Sequence, residues 1–388
     1  MVRLGDICDV RDGTHDSPTY VGEGYPLVTS KNIVDGKLDI SNVGYISLED
    51  YNKINERSKV GTGDIIMPMI GTIGNPCIVE NFTDFAIKNV SLIKFPNDKV
   101  CNKYIFYFLS SEKFKKYIVE NNRGGTQKFL SLKDIRNIQL ILPTLIEQME
   151  VVEKLDRISS LISLRKQQLS KLDELVKSRF IEMFGDPITN NFQLPTEAMT
   201  AICTIIDGDR GSNYPKQEEF AEQGYCLFLN AKNVTATGFS FENCMFITEE
   251  KDNALRKGKL ERGDVVLTTR GTLGNLAYYD ETVPFDNVRI NSGMVILRMS
   301  KGVVSEVFFI EQFKLQLQSI KEKIASGSAQ PQLPISTMNK IKILIAPMER
   351  QKQFEAFIEQ IDKSKFEIQK SLEKHEILKK ALMQKYFG

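Results

Sequence analysis

Short apolar runs punctuated by Gly, Asn, Asp and Pro occupy the first part of the chain, among them Asp64-Ile65-Ile66-Met67 and Val90-Ser91-Leu92-Ile93-Lys94-Phe95. This pattern predicts short strands joined by turns. An amphipathic helix is expected from Tyr104 to Val119, then the small-polar loop Arg123-Gly124-Gly125-Thr126-Gln127, then one more strand over Ile138 to Leu142. Pro143 ends that strand and permits a helix to start. The same order returns with a helix over Val307 to Ile324, the loop Ser326-Gly327-Ser328-Ala329-Gln330, a strand over Ile341 to Ile345, and Pro347.

Beyond each proline the apolar spacing lengthens into a heptad-like pattern. Leu155, Ile158, Ile162, Leu169, Leu172, Val176 and Met183 form one series, interrupted at Arg165 and Arg179. Ile358, Ile361, Ile368, Leu372, Leu382 and Tyr386 form the other, interrupted by Lys365, His375 and Lys379. Neither is clean enough to be an independent fibre. Paired with each other they would make a two-stranded antiparallel coiled coil, leaving Leu161, Leu164, Leu175, Phe180, Ile377 and Leu378 for another partner. About 30–35 helical residues span roughly 50 Å, the length of a spacer between two globular domains.

The chain is written twice. Val60-Gly61-Thr62-Gly63-Asp64-Ile65-Ile66 and Gly71-Thr72-Ile73-Gly74-Asn75 return as Leu260-Glu261-Arg262-Gly263-Asp264-Val265-Val266 and Gly271-Thr272-Leu273-Gly274-Asn275. Asp12-Gly13 matches Asp207-Gly208, Lys31-Asn32-Ile33 matches Lys232-Asn233-Val234, Gln148 matches Gln351, and Phe184-Gly185 matches Phe387-Gly388. Two copies of one module imply two similar but unequal sites.

Composition narrows the function classes. A chain of 388 residues with 41% hydrophobic content can build two packed domains. No apolar run reaches the ~18 residues of a membrane span, and the start Met1-Val2-Arg3-Leu4-Gly5-Asp6 resembles neither a signal nor a transit peptide, so the cytoplasm and no membrane partner are expected. Six cysteines without a CxxC pair read as buried free thiols, and two histidines leave little material for metal ligation or His-based catalysis. A net charge of +1 does not announce a nucleic-acid binder. Local basic clusters do occur at equivalent places, Arg57 with Lys59 and Arg256-Lys257-Gly258-Lys259 with Arg262, and each reads either as a binding patch or as a solvated charged loop.

Catalytic motifs are missing. Neither Gly-Thr-x-Gly string continues into a Walker lysine loop, and Asn75-Pro76-Cys77 and Asp186-Pro187-Ile188 lack the second proline and aromatic of an amino-methyltransferase motif. Glu249-Glu250-Lys251 has Leu48-Glu49-Asp50 in the other copy, which leaves a nuclease reading without support. No catalysis by this chain alone, and no cofactor on it, is expected.

The repeated Gly-Asp-apolar-apolar, Gly-Thr-apolar-Gly, Gln-bearing loop, strand, proline and long helix ending in Phe-Gly resemble the specificity subunit of type I restriction-modification systems over essentially the whole chain. Thr268-Thr269-Arg270-Gly271-Thr272-Leu273-Gly274, Gly327-Ser328-Ala329-Gln330-Pro331-Gln332-Leu333 and Pro143-Thr144-Leu145-Ile146-Glu147-Gln148 carry the likeness. The resemblance implies an α/β protein with two similar target recognition domains in tandem pseudo-repeat, separated by two long helices forming an antiparallel coiled coil. Residues 1–145 and 187–345 would be the recognition domains, and 146–186 and 346–388 the spacer helices. It also implies a non-catalytic subunit that reads a bipartite, asymmetric site in double-stranded DNA. Two methyltransferase subunits, holding S-adenosylmethionine, and restriction subunits would be its partners. A coiled-coil scaffold whose modules bind protein or ligand instead of DNA is the alternative.

The candidate DNA-binding residues follow from the repeated loops. Arg270 can fork onto guanine or phosphate, or sit in a surface ion pair; Ile70 replaces it in the first copy. Lys31 with Asn32, and Lys232 with Asn233, suit phosphate and base contacts, or an Asx turn beside an exposed lysine. Thr72, Asn75, Thr272 and Asn275 belong to the glycine turns, and Arg57, Lys59, Arg256 and Lys257 to the basic clusters. Arg123, Gln127 and Lys128, with Ser328 and Gln330, lie on loops able to enter a groove or to support the last strand.

Overall fold

The computed structural model describes residues 1–81, 84–96, 98–121, 129–300, 302–325 and 332–388, with the side chains of 323–325 left aside. It forms two compact units, Met1–Gln167 with Gln369–Gly388, and Gln168–Ile368. Each unit therefore contains part of both long helices.

In the first unit, strands β1 (Asp9–Asp12), β2 (Tyr25–Val28), β3 (Gly44–Ile46), β4 (Ile65–Pro68), β5 (Cys77–Ile78), β6 (Ala86–Ile87) and β7 (Val90–Lys94) make two sheets. One is antiparallel with order β1-β7-β4-β5; in the other, β3-β2-β6, strand β2 is antiparallel to β3 and parallel to β6. Alternate residues serve opposite faces. Ile65, Met67 and Ile93 pack among Ile105, Phe108, Leu155 and Ile158 of the helical layer, while Ile66, Val90 and Leu92 pack with Val28 and Ile87 of the second sheet. Burial on both faces is why these strands read as unbroken apolar runs.

The helix expected over Tyr104 to Val119 is two helices, Asn102–Leu109 and Glu112–Asn121. Two adjacent serines break it by bonding to nearby backbone: Ser110 Oγ donates to Phe106 O at 2.8 Å, and Ser111 Oγ accepts the Phe114 N–H at 3.3 Å. The long helices, Leu145–Phe184 and Met348–Phe387, have 40 residues each, more than the spacing suggested. The first starts directly after Pro143 because Thr144 and Glu147 cap it reciprocally, with Thr144 N–H to Glu147 Oε2 at 2.9 Å. In this unit Leu155 and Ile158 of one helix share a core with Leu382, Met383 and Phe387 of the other, and Lys166 pairs with Glu376 at 3.1 Å. Numbers rise along one helix as they fall along the other, so the pair is antiparallel.

The second unit repeats the plan with β8 (Cys203–Asp207), β9 (Cys226–Leu229), β10 (Phe246–Ile247), β11 (Asp264–Thr268), β12 (Leu276–Tyr279), β13 (Val288–Ile290) and β14 (Met294–Met299). The orders β8-β14-β11-β12 and β10-β9-β13 match the first unit strand for strand. Val176, Phe180, Met183 and Phe184 pack with Phe354, Ile358 and Ile361, again antiparallel, and Lys365 pairs with Asp173 at 2.6 Å. Phe180 is fully buried among Phe184, Phe308 and Phe354, which corrects its assignment as a spare position: heptad spacing does not register a third helix. Leu161, Leu164, Leu175, Ile377 and Leu378 are exposed.

The duplication extends to buried polar circuits. Gln148, with no exposed surface, accepts the Cys101 N–H at 2.9 Å and donates to Lys99 O and Pro143 O at 3.1 and 2.9 Å. Gln351, equally buried, accepts the Ser305 N–H at 2.8 Å and donates to Val303 O and Ala346 O at 3.4 and 2.8 Å. Asp64 holds the Gly61 N–H and Lys94, and Asp264 holds the Glu261 N–H and Arg298.

One place diverges. The first unit has an apolar cluster there, with Leu27, Ile46 and Ala86 and the stacked rings of Tyr25 and Tyr51. The second unit keeps an apolar cluster of Cys226, Phe228, Ile247 and Leu255 and adds buried charges beside it: Arg289 bonds Asp252, whose other carboxylate oxygen takes Lys259. Arg289 also donates to the carbonyls of Asp252, Leu255 and Lys257 at 2.8, 3.2 and 2.8 Å, which ends the short helix Glu249–Ala254 and holds the loop after it. Burial pushes the Asp252 carboxyl up, and the hydrogen bonds from Lys259 and Arg289 outweigh it, leaving the group below its ordinary value.

Gln148→Ala removes three hydrogen bonds made by a fully buried amide and is expected to cost about 2–4 kcal/mol in urea unfolding, whereas exposed Gln167→Ala changes stability by less than about 0.5 kcal/mol. Equal effects would contradict the circuit. A carboxyl lowered in the folded state contributes stability that is complete above its unfolded value of 3.8 and is lost as pH falls through the lower folded value. Asp252→Asn should therefore melt lower at neutral pH and lose less on acidification below about 4 than the parent protein. Parallel acid profiles would show that Asp252 makes no such contribution.

Candidate nucleic-acid interface

In each unit four chain segments converge beside the turn that follows the first strand. In the first unit Gly13 N–H donates to Val90 O at 2.9 Å and Thr14 N–H to Ile87 O at 3.0 Å, so closely that a Cβ on Gly13 would lie 2.2 Å from Ile87 O. His15 sits between Asp12 Oδ2 and Asn89 Oδ1, at 3.0 and 2.9 Å, and Arg57 bonds the same Asp12 carboxylate. Met69 N–H reaches Asn89 O at 3.3 Å, which brings in the glycine turn. Asp12, though buried, thus has two cationic or protonatable neighbours at the surface.

The second unit makes the same convergence with different side chains. A Cβ on Gly208 would lie 2.2 Å from Asn291 O, and one on Gly258, at φ +88°, would lie 3.3 Å from Gly208 Cα. Arg210 donates to Asp207 Oδ1 at 3.1 Å and Ser292 O at 3.3 Å. Asp209 accepts the N–H groups of Gly211 and Arg256 at 2.6 and 2.7 Å. The Gly211 bond, then the Arg256 backbone and charge, hold the Asp209 carboxyl below its usual range. Thr269 and Arg270 N–H groups both bond Gly293 O, at 2.9 and 3.2 Å.

The sequence candidates fall into distinct groups on this scaffold. Lys31 and Lys232 are exposed and form no ion pair among the described residues. Asn32 and Asn233 are buried, and their amides close their own loops: Asn32 Nδ2 to Asp39 O and Asn42 O, Asn233 Nδ2 to Ser240 O and Asn243 O. Asn75 and Asn275 tie the glycine turns to those loops through Ile33 O and Val234 O, at 3.1 and 2.9 Å. Thr72 and Thr272 are exposed at the turn tips, beside Gly71 and Gly271 with φ of +79° and +71°.

The basic clusters divide in the same way. Arg57, Lys59, Arg256 and Lys257 are exposed, and Arg57 pairs with Asp12. Lys259 is engaged by Asp252, and Arg262 by the carbonyls of Asp280, Val283 and Phe285, so both serve the fold. Arg270 is exposed with no hydrogen bond or ion pair from its guanidinium among the described residues, while Ile70 is half-buried and bridges to Phe129. Arg123, Gln127, Lys128, Ser328 and Gln330 lie outside the described residues. The chain just beyond them returns to the site, with Leu130 N–H on Met69 O at 2.9 Å and Leu333 N–H on Thr269 O at 3.1 Å.

Sequence reading assigned no role to His15, Asn89, Arg210 or Arg289. Asp12-Gly13 and Asp207-Gly208 were visible as a repeat, but the isolated residues around them carry no local signal. The site presents guanidinium, ammonium and hydroxyl groups on glycine-supported turns, a set suited to phosphates and base edges. Burial pushes the thiols of Cys8, Cys203 and Cys226 up to about 12 and that of Cys77 to about 11, so they are poor nucleophiles. Among the described residues no group of His, Cys, Asp and Glu is arranged to hold a metal ion, and no helix is long and apolar enough to cross a membrane.

The pattern that defines the type I restriction modification DNA specificity domain matches residues 1–174 and again 199–379. The putative type I restriction enzyme MjaX specificity subunit of Methanocaldococcus jannaschii is 23% identical over 385 residues, covering 92% of this chain and 85% of that protein. The MjaVIII specificity subunit of the same organism is 26% identical over 184 residues, 46% of this chain and 43% of that protein. The EcoBI specificity subunit of Escherichia coli is 27% identical over 174 residues, 44% and 36%. In these last two matches the aligned part spans less than half of the relative. The crystal structure of a type I restriction-modification system S subunit from M. genitalium shares the fold, with a TM-score of 0.55 and 17% identity over 100% of this chain and 95% of that one. A chain from a structure of the type I R-M system concerned with complex assembly and conformational transition does so at 0.56 and 18%, over 100% and 96%. With both halves of the chain matched by one family pattern, the protein belongs to the type I restriction modification DNA specificity domain family.

Proposed function

We propose that this chain is the DNA sequence-specificity subunit of a type I restriction-modification system, each unit reading one half of a bipartite, asymmetric site in double-stranded DNA. The observation that carries this reading is the repeated convergence of four segments. One backbone scaffold occurs twice, supported by Gly13 and Gly208, yet it carries different exposed cations and polar groups in its two copies. Two equal sites would read a symmetric sequence; two unlike sites on equal scaffolds suit unlike half-sites.

Residues 1–145 and 187–345 act as the target recognition domains in this reading, and 146–186 and 346–388 as the spacer. Lys31 and Lys232, exposed on loops locked by Asn32 and Asn233, serve phosphates, and the asparagines position them. Two methyltransferase subunits holding S-adenosylmethionine dock on the paired helices, where Leu161, Leu164, Leu175, Ile377 and Leu378 offer exposed apolar surface, and restriction subunits complete the assembly. This chain contributes no catalytic group.

Binding by the co-expressed complex with its methyltransferase is expected to depend on the gap between half-sites. Adding two base pairs shifts the second half-site by about 7 Å and rotates it by roughly a fifth of a turn, and should abolish high-affinity binding. Lys232→Ala should weaken all sequences alike and lower the slope of log affinity against log salt by about one. Equal affinity at every gap length, or no preference among duplexes, would count against the reading.

A further inference from the structure

We propose that the half-site read by the second unit contains guanine and that Arg270 reads it, with Arg256 and Arg210 set around the same base pairs. This rests on the DNA-reading function above and adds the chemistry of one half-site. The first unit lacks the equivalent group, so its half-site is read by other means.

Arg270 combines a fixed backbone with an unengaged side chain. Its N–H and that of Thr269 share Gly293 O, Thr269 Oγ1 donates to the same oxygen at 3.1 Å, and Leu333 N–H holds Thr269 O from the other side. Gly271, at φ +71°, turns the chain immediately afterwards. The guanidinium projects from this anchored point with all its donors unengaged among the described residues. Little backbone freedom is left to lose on binding, the condition under which a side chain discriminates sharply.

Arg256 is anchored similarly and free at its tip. Asp209 holds its N–H at 2.7 Å, and buried Arg289 holds the carbonyls on both sides, Leu255 O and Lys257 O. Its side chain is 76% exposed, with Nε 3.9 Å from Asp209 Oδ2. Arg210 leans on Asp207 and Ser292 O beside the same turn. These segments meet at Gly208, Gly258 and Asn291–Gly293, so the three arginines stand on adjoining stretches of backbone.

The chemistry selects guanine over other occupants. A guanidinium presents parallel N–H donors, and in the major groove only guanine offers two adjacent acceptors, O6 and N7; adenine pairs an acceptor with a donor, thymine an acceptor with a methyl, and cytosine presents a donor. Phosphate is disfavoured at this spot because Asp207 and Asp209, paired with Arg210 and close to Arg256, offset part of the local positive charge. In the first unit Ile70 offers no donor where Arg270 stands, His15 replaces Arg210 and lies between Asp12 and Asn89, and Arg57 is bound to buried Asp12.

The test is selection of binding duplexes from a random pool by the full chain in complex with its co-expressed methyltransferase subunit, comparing the parent with Arg270→Ala and Arg270→Lys at two salt concentrations. The parent should enrich a bipartite motif with guanine in one half. Arg270→Ala should lose the guanine preference in that half alone, with affinity for the parental motif reduced about 10- to 100-fold, an unchanged melting temperature and an unchanged salt slope. Arg270→Lys should keep a weakened guanine preference, because an ammonium reaches O6 and N7 without the planar fork. A bipartite motif with no guanine in the affected half, or an alanine variant that retains it, overturns the inference and leaves the function standing. So does an equal loss on every sequence with a shallower salt slope, the signature of a phosphate contact. Absence of any bipartite motif overturns the function itself.

Discussion

The buried glutamine at the start of each long helix is the interaction on which each unit is organised. Gln148 and Gln351 have no exposed surface, and each ties the first turn of a long helix to the loop ahead of a core helix and to the carbonyl of Pro143 or Ala346 just before the long helix. A primary amide can satisfy one N–H and two carbonyls at once, which an apolar or shorter residue cannot. Because each glutamine amide is itself fully buried, leaving its hydrogen bonds unmade is costly, and the start of each long helix is held accordingly. The sheet packing then follows from the alternation of Ile65/Met67 against Ile66, and of Val265/Leu267 against Val266.

On that common frame the two units diverge where side chains face outward or fill the second sheet layer. Tyr51 and Ala86 give one unit an apolar cluster, and Asp252 and Arg289 give the other a buried ion pair at the equivalent place. A buried ion pair is seldom more favourable for stability alone than packed apolar groups. In this unit the pair also fixes the loop that carries Arg256 and Lys257, an effect on placement that the apolar cluster does not supply. The divergence at Ile70 and Arg270 is simpler: one side chain completes a core margin and the other projects a charge.

Much of this was legible in the sequence because repetition and periodicity are local signals. The duplicated Gly-Asp and Gly-Thr-x-Gly strings, the short apolar strand runs, and the two heptad-like helices all reappear in the fold. The exceptions have physical reasons. Phe180 looked unpartnered since helical spacing says nothing of a third element, and Tyr104 to Val119 looked continuous since two serines are weak breakers in a pattern dominated by aromatics. Lys31 and Lys232 are legible as candidates through their repeat, but whether Asn32 and Asn233 face outward or close a loop depends on carbonyls several residues away. His15, Arg210 and Arg289 acquire partners only through tertiary convergence, so no window of sequence marks them.

The central claim is that one chain supplies the sequence specificity of DNA modification through two unlike reading units. Long-read mapping of modified adenines in the host, with the gene for this chain intact and then deleted, tests it most directly. The account predicts a bipartite, asymmetric motif that is modified when the chain is present and unmodified when it is absent. An unchanged modification pattern after deletion, or loss of a continuous or symmetric motif instead, would contradict it.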